Sequence, residues 1–138
     1  MSESNKALAK AAWMAIAAGQ LDLLGDYYSA ELVTHPAAGP PVEGLANFKA
    51  MLGTLDGAFH NMKIDLHEVV AEGDYVASRF NLSFTHAGDF MNIPATNKVV
   101  NVPGMDLTRI AGGKIVEVWG GMDQMSLLMQ IGAIPSPG

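Results

Sequence analysis

In the stretch "KIVEVWGGMDQMSLLMQIG", residues 114–132, an alternating strand pattern gives way to a helical one, and a single carboxylate, Asp123, stands at the joint. Two kinds of chemistry fit an acid there. As the N-cap of "QMSLLMQIG" it would accept the first-turn N–H groups of the helix. As a general base beside Trp119 and apolar methionines it would lose hydration, which raises a carboxylate's pKa toward a useful range. The residues alone favour the cap. No cysteine occurs in the 138 residues, so a thiol nucleophile and a thiolate metal site are both excluded.

The four histidines are the other proton-transfer groups. His86 shares strand parity with Phe80, Leu82 and Phe84, so it faces the apolar side of a sheet, as a hydrogen-bonded core residue or as a pocket wall. His35, in the loop "VTHPAAGPP", is either solvated or folded over one end of the sheet. His60 reads as a helix-end residue and His67 as an outward strand residue. They form no i,i+4 pair and have no carboxylate at ligand spacing, so no metal site is expected. Asp106 and Arg109 lie on one strand, and Arg109 opposite Glu117 reads as a cross-strand ion pair rather than a catalytic group. Trp13, Tyr27, Tyr28 and nine methionines supply adaptable apolar volume for a core or for a pocket that takes a flat apolar ligand.

Composition narrows the partners. Net charge is −6 and the eight Lys and Arg are scattered singly, which speaks against a phosphate backbone and hence against nucleic acid. The apolar run "AAWMAIAAG" is too short to span a bilayer, and "MSESNKALAK" lacks the apolar core of a signal peptide, so a cytoplasmic protein with no membrane association is expected. At 49% hydrophobic and 16% charged residues, a single domain over 1–138 has apolar surface to spare. Val69, Val99, Val116 and Val118 are assigned to the outer sheet face and predict a homo-oligomer, a dimer or tetramer.

The elements that must position these groups follow from periodicity. Helical spacing of Leu8, Ala11, Ala12, Ala15 and Ile16 predicts a helix over 5–18, stopped by Gly19. "QLDLLGDYYSAEL" reads as a short helix broken near Gly25, "THPAAGPPVEG" as a loop, and 44–57 as an amphipathic helix. After His60 the period becomes two: strands on either side of Glu72-Gly73-Asp74 form one hairpin, and "NKVVNVPGMDLTRI" with "KIVEVWGGM" forms a second. Pro103-Gly104 and Gly120-Gly121 mark expected bulges or bends, and "PSPG" a frayed tail. Helices first and antiparallel strands afterwards define an α+β fold.

The order of motifs resembles a known family. "HAGDFMNIPATNKVV" at 86–100 and "MDLTRIAGGKIVEVWGGMDQMSLLMQIGAIP" at 105–135 are similar to the SnoaL-like polyketide cyclases, and "VTHPAAGPPVEGLANFKAML" and "EVVAEGDYVASRF" extend the likeness over nearly the whole chain. Asn92 and Asn97 stand where that family has glycine, and no histidine occupies 105–107. The resemblance implies a cone-shaped barrel of the nuclear transport factor 2 type, a curved antiparallel sheet packed on N-terminal helices around a hydrophobic pocket. It implies a cofactor-independent enzyme that closes a polyketide ester ring by intramolecular aldol condensation, with Asp123 as acid/base and His35 or His86 holding the enolate oxygen. Trp119, Met105, Phe59 and Tyr28 are the expected substrate-binding residues, for a small apolar oxygenated substrate. Epoxide hydrolysis, isomerisation or ligand binding without catalysis are alternatives on the same fold.

Overall fold

The structure, a computed structural model, describes residues 2–37 and 39–135. Helix α1 (Ser2–Ala17) buries Ala9, Ala12, Ala15 and Ile16, the small face of the expected amphipathic pattern. A 3₁₀ turn (Leu21–Asp26) leads into strand β1 (Tyr28–His35), and the short strand β2 (Val42–Glu43) precedes helix α2 (Leu45–Ala58). Strands β3 (Phe59–Glu72), β4 (Tyr75–His86), β5 (Val99–Ala111) and β6 (Lys114–Met122) follow, and helix α3 (Gln124–Gln130) ends the fold. The six strands run in the order β2-β1-β6-β5-β4-β3. Among the described residues no helix is long and apolar enough to cross a membrane.

The α+β class holds, with helices packed on a curved sheet, but the sheet is open: β2 and β3 are its two edges. Three expectations change in detail. Residues 28–32 are strand, not helix, because Leu32 and Tyr28 bury inward while the backbone pairs with β6. That pairing is parallel, so the sheet is not antiparallel throughout. The β5–β6 ladder runs without interruption from Gly104↔Met122 to Arg109↔Glu117, and its register shift lies near Val116 instead of at the glycine pairs. Both hairpins form where the sequence reading places them, with Val76, Phe80, Leu82, Phe84 and His86 all buried on β4. Of the tail assigned to 135–138, all but Pro135 lies outside the described residues.

The core has two lobes. Leu24, Leu32, Phe48, Ile110 and Ile115 pack against α1 and α2 in one. Phe59, Phe80, Phe84, Val102 and Leu127 form the other, beneath α3. Val69 and Val118 pack against the first lobe instead of facing outward, whereas Val99 is 73% exposed. Trp13 touches both lobes, and the space beside it is the cavity described next.

Candidate active site

Along β5 the even-numbered residues Val100, Val102, Gly104, Thr108 and Ile110 are buried and the odd-numbered ones are more exposed. Asp106 shares the inward parity, so the pleat aims its carboxylate at the interior. There it meets a cavity of about 320 Å³, with Trp13 and Ile16 of α1, Tyr28 and Thr34 of β1, and Phe48 of α2 among its walls. Gly120 is its register partner on β6, with φ +93°, and a Cβ there would lie 2.6 Å from the Met105 carbonyl oxygen. Glycine is therefore required for the strands to close beside Asp106, and it leaves that wall free of side chain.

One oxygen of this carboxylate is held and the other is not. Trp13 Nε1 donates to Asp106 Oδ2 at 3.0 Å. Oδ1 is out of solvent and has no hydrogen-bond partner among the described residues. Burial raises the Asp106 pKa to about 6, opposed by the Trp13 hydrogen bond and, more weakly, by Ser78, its partner on β4, which makes no hydrogen bond of ordinary geometry to Oδ1. The Trp13 ring is itself placed by Phe80, with centroids 4.5 Å apart, and Phe80 fits against Gly104, where a Cβ would lie 2.3 Å from Cε1. Near neutral pH a carboxylate of this kind can take up or return a proton.

The residues named from sequence are not brought together. Asp123 is exposed and caps α3: its Oδ1 accepts from Ser126 N at 3.1 Å, as the residue pattern alone favoured. His35 points to the outer face, where its Nε2 lies 2.6 Å from Glu117 Oε2 and its ring stacks on Trp119 at 5.3 Å. Glu117 also accepts from Arg109 (3.1 Å from Nη2), and these two bonds hold its carboxyl below the usual range. Met105, with odd parity, is 65% exposed on that same outer face. None of His35, Trp119 and Met105 lines the cavity, because each sits one pleat out of phase with the inward set.

His86 is fully buried near Phe59, with ring centroids 5.4 Å apart, and belongs to the second lobe instead of the cavity. Its Nδ1 accepts from Thr96 N (3.3 Å) and lies 3.0 Å from Thr96 Oγ1. Phe59 is 2% exposed and lines a separate cleft with His60. Tyr28 is the one expected binding residue that lines the cavity. Asp106 and Trp13 were not singled out as a pair from sequence, although the parity of Asp106 with Val102 and Thr108 pointed inward. Among the described residues no cluster of His, Asp or Glu is arranged to hold a metal ion.

A curved sheet over helices, with an apolar cavity and one half-buried acid in its wall, defines an α+β pocket protein. A family model described as SnoaL-like polyketide cyclase matches residues 7–131, and the chain belongs to that family. A proposed SnoaL-like polyketide cyclase from Jannaschia sp. CCS1 superposes with TM-score 0.86 at 22% identity, over 98% of this chain and 96% of that one. AclR, a proposed hydroxylase from Streptomyces galilaeus, gives 0.89 at 25% identity, over 100% and 87%. IdmH, a proposed polyketide cyclase from Streptomyces antibioticus, gives 0.81 at 23% identity, over 93% and 98%. No curated protein matches the chain.

Proposed function

We propose that this chain is a cofactor-independent acid/base enzyme that closes a ring in an apolar carbonyl compound of polyketide type, with Asp106 as the group that moves the proton. In this reading Asp123 caps α3, and His35 and His86 support the fold. The observation that carries it is the Asp106 carboxylate, with Oδ1 unpartnered in the wall of an apolar cavity and a pKa raised to about 6.

Ring closure by an aldol step needs no co-reactant. Asp106 takes a proton from the carbon α to a carbonyl, and the resulting enolate carbon forms a bond to a second carbonyl carbon of the same molecule. That carbonyl's π pair becomes an alkoxide, which takes the proton back from Asp106. The cavity walls contribute by holding the two carbons in contact.

The first half of this sequence can be tested without the natural substrate. 2-Tetralone is a flat apolar ketone with exchangeable α-protons, and its deuterium uptake is read by NMR. Asp106→Asn should slow protein-catalysed exchange by roughly two to four orders of magnitude, the span of a lost general base, and Asp123→Asn should leave it unchanged. Exchange that survives Asp106→Asn and collapses in Asp123→Asn would return the base to Asp123. A chain that binds the ketone and exchanges nothing would be a binding module.

A further inference from the structure

An enolate needs a partner for its oxygen as well as a base for its proton, and the histidines expected to supply one do not reach the cavity. The cavity's polar side chains are few. Trp13 has already given its N–H to Asp106, and Gln124 is an exposed residue of α3. Thr34 and Tyr28 remain, both on β1, both buried and both lining the cavity. Neither hydroxyl makes a hydrogen bond to any group among the described residues.

We infer that the Tyr28 hydroxyl is the hydrogen-bond donor that receives the substrate's carbonyl oxygen as Asp106 removes the α-proton. This rests on the reading of Asp106 as the base. Two observations favour Tyr28 over Thr34. Tyr28 and Asp106 both line the cavity, and the phenol ring carries its hydroxyl farther from β1 than the Thr34 side chain does. A phenol is also a far stronger hydrogen-bond donor than an aliphatic alcohol. The ring is fixed, packed against Phe48 with centroids 5.4 Å apart, so the hydroxyl is presented without reorganisation.

Burial, with the Asp106 charge as a smaller contribution, pushes the Tyr28 pKa far above its ordinary value. The phenol therefore remains protonated throughout the range in which Asp106 changes charge, a donor that is always armed. In the step itself Asp106 Oδ1 takes the proton, and the C–H electron pair becomes the enolate double bond. The carbonyl π pair moves to oxygen, and the Tyr28 O–H hydrogen-bonds that oxygen while keeping its proton.

The test uses 2-naphthol, whose anion mimics a flat enolate, with its ionisation read by absorbance and fluorescence. Asp106→Asn imitates the state in which Asp106 has taken the proton, so it should bind naphtholate more tightly than the parent chain does. In that background Tyr28→Phe should weaken naphtholate binding roughly 10- to 100-fold, the range for a hydrogen bond to a charged group, while Thr34→Val changes it less than about twofold. Tyr28→Phe keeps the ring and its packing, and an unchanged melting curve checks that the fold is intact. If Asp106→Asn does not strengthen naphtholate binding, the reading of Asp106 fails and this one with it. If it does, yet Tyr28→Phe binds within twofold, or Thr34→Val takes the loss instead, Asp106 stands and the assignment to Tyr28 is overturned.

Discussion

Replacing Asp106 by Asn should stabilise the protein while disabling it. The folded-state pKa lies near 6 against an ordinary value of 3.8, because burial penalises the charge. Folding therefore holds the proton more tightly than the unfolded chain does. The linkage sign follows: stability is greatest below about pH 4, declines as pH rises through the window from about 4 to 6, and is flat above it. A displacement of that size corresponds to about 3 kcal/mol of ionisation cost at pH 8. Asn carries no such charge and can still accept from Trp13 Nε1, though losing a charge-assisted bond removes about 1 kcal/mol of the gain. The new amide N–H groups would have the Ser78 hydroxyl, beside Asp106 in the ladder, within the same pleat. Net stabilisation of about 1–3 kcal/mol is expected at pH 8, shrinking toward zero or below at pH 4, by urea unfolding of both proteins at pH 4, 6 and 8. A variant less stable than the parent at pH 8, or a difference that does not change with pH, would refute the reasoning.

Asp123→Ala should lower stability by about 1 kcal/mol through the lost cap, with Asp123→Asn nearly silent, as read by thermal melting. Gly104→Ala should cost about 1–3 kcal/mol and perturb Trp13 fluorescence, because its Cβ would drive Phe80 against the Trp13 ring. The exposed outer face around Met105, Leu107 and Val99 should seat a second copy, so sedimentation should give more than a 14.6 kDa species, and Leu107→Lys should shift it toward monomer. A single 14.6 kDa species for the parent chain at micromolar concentration would contradict that expectation.

What could be read from the sequence was periodic, and what could not was tertiary. The alternation at Phe80, Leu82, Phe84 and His86 reports a half-buried strand directly, and the Gly112-Gly113 turn sets the β5–β6 hairpin. The β1 segment escaped because "DYYSAEL" has no strict alternation and gains its strand form from pairing in parallel with β6, a contact about 85 residues away. The placement of the expected site residues has a related cause. The family resemblance pointed to Asp123, His35 and Trp119, but a bulge near Val116 and the pleat phase turn His35, Glu117 and Trp119 outward. Asp106 was read together with Arg109, whose cross-strand pair with Glu117 is present, yet residues three apart on a strand face opposite sides. Counting strand parity from Val102 would have separated them.

Whether an ionisable carboxylate lines the cavity can be read by carboxyl titration. With aspartates labelled at the side-chain carboxyl carbon, the Asp106 resonance is identified by its loss in Asp106→Asn, and its chemical shift is followed by NMR from pH 3 to 9. A midpoint near 6, moving upward in Trp13→Phe where the lowering hydrogen bond is gone, is the expected result. A midpoint at or below the ordinary 3.8 would place that carboxylate in water and remove it from the chemistry proposed for the cavity.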